Sequence, residues 1–195
     1  MASAELHFLD VAGRRIAYRV RDGARPTLVF LPGYASDMEG TTALALVDRL
    51  TSGPLVLVGS SMGGWLVLHL AVLRPGRMQA LVGIAAAPDF TDWGFADAAA
   101  AERQGLALGF WQSGQQLLLL DKEIAVDCPV RLLHGERDEE VPLDVAFRTL
   151  RALRSADVQL NVLKGGGHRL SEPHEIDAIL HTVAALIEQP LEPAP

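Results

Sequence analysis

The sequence predicts an α/β fold with a mostly parallel central sheet and helices on both faces. Nearly continuous apolar runs, which are typical of strands buried on both sides, recur along the chain. These runs are Thr27–Leu31, Leu55–Val58, Ala80–Ala85 and Val130–Leu133, and the last strand is predicted at Val158–Leu163. Helical patterns separate most of them, and strands that alternate with helices form parallel sheets.

Further elements flank and connect these strands. A strand pair is predicted at Leu6–Val11 and Arg15–Arg21, because apolar and polar residues alternate in the second run. Helices are predicted at Leu44–Leu50 with Ser36 or Asp37 as cap, at Trp65–Leu73, at Leu143–Arg154, and from Ser171 to Ile187. We expect one domain over residues 1–189, with a short cap at 89–127, and a tail at 190–195.

Composition and charge restrict the class of protein. The 195 residues are enough for one domain with a single sizeable core, and 49% of them are hydrophobic. The net charge of −7 and the lack of a Lys/Arg cluster argue against nucleic acid or an anionic membrane as partner. No apolar stretch reaches the roughly 18 residues of a membrane span, and we expect a cytoplasmic monomer or dimer. The single cysteine, Cys128, is expected to be a buried thiol.

The residues Gly59-Ser60-Ser61-Met62-Gly63 fit the pattern G-x-S-x-G. A buried strand precedes them and an apolar helical run follows, which is the context that a nucleophile elbow requires. The sharp turn is expected to hold Ser61 in a strained backbone conformation that exposes its hydroxyl, while Ser60 points inward. The helix N-terminus beside Ser61 favours a developing oxyanion. Ser61 is therefore the predicted nucleophile.

A serine hydroxyl needs a neighbouring base, and that base needs an orienting group. His168 follows the last predicted strand on a triple-glycine loop, at the sheet edge where the chemistry of such folds lies. His134 also follows a strand, but it is interpreted as packing beneath its loop. The other histidines lie within predicted elements or in a first helical turn: His7, His69, His174 and His181. His168 is the predicted base.

The orienting acid should also follow a strand. Asp138 does so, four residues beyond His134, whereas Asp89 follows an earlier strand and is the alternative. We predict Asp138 as the acid, with Glu139 and Glu140 as surface charges. No His, Cys, Asp or Glu residues have metal-ligand spacing, so we expect neither a metal nor another cofactor.

Four stretches resemble the α/β-hydrolases, and more narrowly the small serine hydrolases related to mitochondrial palmitoyl-protein thioesterases and their bacterial relatives. They are Leu31–Thr41, Leu57–Trp65, Cys128–Gly135 and Gly167–Arg169, and the chain order Ser61, Asp138, His168 agrees. The resemblance implies an α/β-hydrolase fold and an oxyanion hole formed by the backbone N–H groups of Tyr34 and Met62. Pro32-Gly33 stands where family members often have His-Gly, but the donor is the residue after the glycine.

The chain departs from this family before the elbow strand, where a further strand and helix are expected. Leu44–Leu50 leads almost directly into that strand, so we expect a shortened sheet. In the complete fold the missing strand would lie beside Thr27–Leu31. Without it, Thr27–Leu31 would be an open edge unless another strand pairs with it. We predict that Arg15–Arg21 moves inward and pairs with Thr27–Leu31, in preference to a dimer built on the exposed strand.

The segment 89–127 contains no clear strand and concentrates aromatic residues. As a lid it would line an apolar acyl pocket, and the predicted substrate-binding residues are Phe90, Trp93, Phe95 and Trp111. If the segment has only a structural role, the same side chains would pack into the core and stabilise a segment that leaves the sheet. We favour the lid.

Three functions follow from these patterns. The favoured one is a serine carboxylesterase for short- to medium-chain esters, because removal of a strand and helix should open the cleft. The second, implied by the resemblance, is a thioesterase that acts on S-acyl groups. The third is a non-catalytic binding protein of the same fold, against which Ser61, Asp138 and His168 argue because binding alone does not need them.

Overall fold

Strands and helices alternate along most of the chain. The structure, a computed structural model, describes residues 6–11, 14–20, 22–23, 26–33, 51 and 53–188. Its strands are β1 (Leu6–Val11), β2 (Arg14–Arg19), β3 (Thr27–Leu31), β4 (Leu55–Ser60), β5 (Met78–Ile84), β6 (Val130–Gly135) and β7 (Val158–Leu163). Its helices are α1 (Met62–Leu73), α2 (Phe90–Trp93), α3 (Ala98–Arg103), α4 (Leu108–Gln115), α5 (Leu143–Ala152) and α6 (Pro173–Glu188).

Five of the described strands form one parallel sheet in the order β3-β4-β5-β6-β7. Side chains alternate across β4, as they do in any strand. Leu55 and Leu57 pack in one apolar cluster with α1, whereas Val56 and Val58 pack in another with α6. Helices therefore cover both faces of the sheet, as the apolar runs predict.

The sheet places three chain segments at one end of the molecule. Because parallel strands finish at the same edge, the loops after β4, β6 and β7 open side by side. These loops carry Ser61, Asp138 and His168.

The predicted pairing of Arg15–Arg21 with Thr27–Leu31 is wrong. β1 and β2 form a separate antiparallel sheet, and among the described strands β3 is the outermost of the larger sheet, paired with β4. The exposed residues of β2 include Arg15 and Arg19, and charged side chains of this kind oppose the addition of a strand. On β3, Leu28 and Phe30 are 48% and 55% exposed.

The remaining predictions of secondary structure hold to within a few residues where they can be compared. α1 begins at Met62, ahead of the predicted apolar run, and α5 ends at Ala152 instead of Arg154. The predicted cap contains the three short helices α2, α3 and α4. The helix Leu44–Leu50, its caps Ser36 and Asp37, and the tail 190–195 lie outside the described residues. Among the helices that the structure describes, none is long and apolar enough to cross a membrane.

Candidate active site

Ser61 occupies the single position between the end of β4 and the start of α1. Its φ of 53° and ψ of −123° are a conformation that residues with a side chain rarely adopt. The neighbouring backbone holds it there: its N–H donates to the carbonyl of Ile84 at 2.9 Å, and its carbonyl accepts from Gly64 at 2.9 Å and Ala87 at 3.0 Å. The strained turn that the sequence predicts is present.

Glycines allow strand and helix to approach each other at this turn. A Cβ at Gly63 would collide with the carbonyl oxygens of Leu31 and Pro32 at the end of β3, and a Cβ at Gly59 would collide with the carbonyl of Gly63. Gly33 lies beside the serine, since a Cβ there would be 3.2 Å from the Ser61 Cβ. The first turn of α1 is thus pressed against β3, which fixes the position of the Ser61 hydroxyl.

The structure brings Ser61, His168 and Asp138 into one hydrogen-bonded row. His168 Nε2 lies 3.0 Å from Ser61 Oγ, and His168 Nδ1 lies 2.9 Å from Asp138 Oδ2. A carboxylate only accepts hydrogen bonds, so Nδ1 carries the proton and Nε2 presents its lone pair to the serine hydroxyl. The Asp138 side chain is fully buried and that of His168 is 14% exposed. This arrangement can deprotonate the serine hydroxyl.

The loop after β6 holds the aspartate in place. Asp138 Oδ1 accepts from the backbone N–H groups of Glu140 at 2.9 Å and Val141 at 2.8 Å. Beneath it, His134 is buried, and its Nε2 donates to the Val141 carbonyl at 2.9 Å. His134 also contacts Asp138 Oδ2 at 3.5 Å. The interpretation of His134 as a residue packed under this loop agrees with its position.

The loop after β7 is fastened to the loop after β6. The N–H of Arg137 donates to the carbonyl of Gly166 at 2.8 Å, and Gly135 packs so closely against Gly166 that a Cβ would collide with its carbonyl. The two loops therefore position Asp138 and His168 together.

The predicted oxyanion donors are described in part. Met62 is the first residue of α1, and the first N–H groups of a helix have no acceptor within the helix. It also lines the pocket beside Ser61. Tyr34, the second predicted donor, lies outside the described residues.

A pocket of about 400 Å³ opens onto Ser61 and His168. Three of the four predicted substrate-binding residues line it, namely Phe90, Trp93 and Phe95. Trp111 is not among the described lining residues, and its role in binding substrate stays a prediction. The remaining described lining is Met62, Ala87, Gly94, Gln104, Gly105, Leu106, Glu140 and Val141.

Sequence reasoning missed several of these residues. Gln104, Gly105 and Leu106 follow α3 and carry no motif that would have indicated a pocket. Glu140 is predicted to be a surface charge, and its side chain is 69% exposed, but it also lines the pocket. Phe90 serves the pocket and the core together, since its ring also packs edge-on against Trp65 with centroids 5.7 Å apart.

The alternative acid, Asp89, has a different set of partners. It is 2% exposed, and its carboxylate accepts hydrogen bonds from the N–H groups of Leu119 and Leu120. Burial raises the pKa of Asp89, partly offset by these hydrogen bonds. Burial likewise raises the pKa of Cys128 to about 11, so the thiol is not a nucleophile at neutral pH.

A parallel α/β sheet with a serine elbow and an aspartate–histidine pair at its carboxyl edge defines the class of the α/β-hydrolases. Residues 37–193 match the profile of the prolyl oligopeptidase family, and the chain belongs to this family.

Individual relatives agree with the assignment to the α/β-hydrolases. The chain is 29% identical to the mitochondrial palmitoyl-protein thioesterase ABHD10 of Bos taurus over 235 positions, which cover 89% of this chain and 77% of the relative. The solved structure of mouse alpha/beta hydrolase domain-containing protein 10 superposes with a TM-score of 0.84 at 28% identity, covering 95% of this chain and 99% of that one. A putative hydrolase from Agrobacterium vitis gives 0.85 at 26% identity, covering 96% and 100%.

The alignment also agrees with the predicted shortening. The match covers 89% of 195 residues, which is about 174, so about 60 of the 235 aligned positions have no counterpart in this chain. That number is large enough for a strand with its helix. The fold is thus a shortened α/β-hydrolase.

Proposed function

We propose that this protein is a serine hydrolase that cleaves short- to medium-chain carboxylic esters through an acyl-serine intermediate. The observation that supports this proposal is the row Asp138–His168–Ser61 at the mouth of a pocket with an apolar lining. Ser61 is the proposed nucleophile, His168 the general base and Asp138 the orienting acid.

In the first step, His168 Nε2 takes the proton of Ser61 Oγ, and Oγ attacks the carbonyl carbon of the ester. Asp138 keeps Nδ1 protonated and stabilises the imidazolium that forms. The N–H of Met62, together with that of Tyr34 implied by the family resemblance, would bind the oxyanion. One such donor in a site shielded from water is worth about 2.7–4 kcal/mol of the barrier.

In the second step, His168 returns the proton to the leaving oxygen, and the C–O bond to the alcohol breaks. Water then attacks the acyl-serine carbonyl and gives its proton to His168, which passes it to Ser61 as the acid leaves. No step requires a metal. Within the described part of the chain, no group of His, Cys, Asp and Glu could hold one, and we expect EDTA to leave the activity unchanged.

The volume of the pocket supports short or medium acyl groups. About 400 Å³ is near the lower end of the roughly 300–1,000 Å³ that ligand pockets span. A series of p-nitrophenyl esters from acetyl to palmitoyl tests this point. We expect kcat/KM to be highest at short or medium length, and a steady climb to palmitoyl would contradict it.

The names of the relatives favour a second candidate, an acyl-thioesterase. Several of them are palmitoyl-protein thioesterases, and the same steps apply with a thiolate as the leaving group. Oxygen and thio esters of the same acyl group separate the two candidates through their kcat/KM values.

A fluorophosphonate probe tests catalysis itself, because it labels a serine that a neighbouring base activates. We expect labelling of the unsubstituted protein and of Ser60→Ala, and none of Ser61→Ala. Unlabelled Ser61 in the folded protein would favour a non-catalytic binding protein of the same fold.

A further inference from the structure

Glu140 brings a second carboxylate to the row of Ser61, His168 and Asp138. Its Oε2 lies 3.7 Å from His168 Nε2, the nitrogen that also faces Ser61 Oγ at 3.0 Å. Glu140 and His168 are the ionisable residues among the described lining of the pocket. The glutamate side chain is 69% exposed, so its charge lies at the entrance rather than in the apolar interior.

The backbone of Glu140 is fixed although its carboxylate is exposed. Its N–H donates to Asp138 Oδ1 at 2.9 Å, and the next residue, Val141, donates to the same oxygen and is 3% exposed. Asp138 therefore orients His168 with one oxygen and sets the position of Glu140 with the other. The negative charge remains within a few ångströms of the bond to be cleaved.

We propose that Glu140 determines specificity by charge: it disfavours substrates with a negative charge next to the scissile ester and favours neutral and cationic ones. This inference rests on the proposed function. Like charges a few ångströms apart repel even in water, and the described lining residues include no lysine or arginine that would neutralise Glu140. The nearby exposed residues Arg137 and Arg169 are not part of that lining.

This role differs from general support of catalysis. The separation of 3.7 Å exceeds that of a hydrogen bond, so Glu140 does not replace Ser61 as the partner of His168. A glutamate that only stabilised the imidazolium would change the turnover of all substrates by the same factor. A glutamate that acts on the substrate changes charged and neutral substrates differently.

Three aryl butyrates of similar size test the proposal, with a carboxylate, a tert-butyl or a trimethylammonium group at the meta position of the leaving phenol. We expect Glu140→Gln to raise kcat/KM about 3- to 10-fold for the anionic ester and to lower it by a similar factor for the cationic one, with the neutral ester changed less than about twofold. Both effects should shrink in 0.5 M salt because counterions screen an exposed charge. Comparing each ester between variants cancels its intrinsic reactivity.

Glu139→Gln is the matched control, since Glu139 is an exposed neighbour outside the described lining. It should change all three esters by less than about twofold. A uniform change in Glu140→Gln, or none, would overturn the proposal while leaving the proposed function intact. Failure of the unsubstituted protein to cleave any of the esters, together with no fluorophosphonate labelling, would instead contradict both.

Discussion

The carboxylate of Asp89 accepts hydrogen bonds from the backbone N–H of Leu119, thirty residues further along the chain, with both oxygens at 2.9 Å. A third bond, at 2.7 Å, comes from Leu120. Nearby, His69 Nε2 on α1 donates to the carbonyl of Leu117 at 3.0 Å. Asp89 directly precedes the short helix that carries Phe90 and Trp93, which line the pocket. The first residue of the cap is therefore bonded to a segment near its end.

Replacing Asp89 with alanine should destabilise the protein. One buried and one half-buried N–H group would lose their acceptor, which costs about 1–3 kcal/mol in free energy of unfolding. Urea unfolding measures the change. Asp92→Ala, at an exposed position in the short helix that follows Asp89, is the control and should change stability by less than about 0.5 kcal/mol. Equal stability of the two variants would show that the bonds from Leu119 and Leu120 contribute little.

The effect of Asp89 on stability should depend on pH. Burial raises the pKa of Asp89 above its ordinary value near 3.8, so the folded protein binds this proton more tightly than the unfolded chain. Its contribution to the free energy of unfolding therefore falls as the pH rises from that value through the raised one, and is constant above. We expect the stability of the unsubstituted protein, relative to Asp89→Asn, to be higher at about pH 4 than at pH 7. Urea titrations across this range test the sign, which a difference that grew toward pH 7 would contradict.

Asp138→Asn should remain folded but lose most of the ester hydrolysis. An asparagine keeps one oxygen for Glu140 and Val141, but its amide would donate to His168 Nδ1. That bond fixes the tautomer in which Nε2 carries the proton and cannot act as a base, an effect of roughly 10⁴-fold in a serine protease. Steady-state hydrolysis of p-nitrophenyl acetate measures it. If Asp89→Asn lost this activity and Asp138→Asn kept it, the assignment of the acid would be wrong.

Alanine at Gly63 should disrupt the elbow. Its Cβ would collide with the backbone carbonyls of Leu31 and Pro32, which cannot turn aside as a side chain can. We expect a loss of at least about 3 kcal/mol, the upper range for overpacking. Gly109→Ala provides the contrast, because a Cβ in that helical position meets open space and should stabilise the protein by about 0.5–1 kcal/mol. Thermal unfolding of both variants gives the comparison.

Local sequence patterns were sufficient to predict that the side chains of Ser61, Asp138 and His168 lie together. Ser61 lies between a strand and a helix, and Asp138 and His168 each lie in a loop that follows a strand. In a parallel sheet all three strands run in the same direction. These relations need only the order of elements and the rule that parallel strands end together.

The features that the sequence did not determine depend on contacts between distant elements. Whether β2 pairs with β3 depends on which strand edges are available in the folded protein, and local sequence patterns do not determine this. Trp111 could be assigned to a helix but not to a side of it, because the packing of Phe110 decides the rotation of α4. The sequence does not distinguish Glu140 from Glu139, because the difference between them depends on the hydrogen bonds by which Asp138 shapes this loop.

The burial of α1 has a consequence for the slow motions of the molecule. Nine of its twelve residues are buried, so its amides can exchange with solvent deuterium only when the surrounding sheet opens, whereas the short helices after Asp89 can open in a smaller and less costly event. The serine is attached to what should be the slowest-exchanging unit of the described chain, and the pocket wall to a faster one. Exchange measurements would then show that the amides of the pocket wall exchange faster than those of the helix that carries the nucleophile.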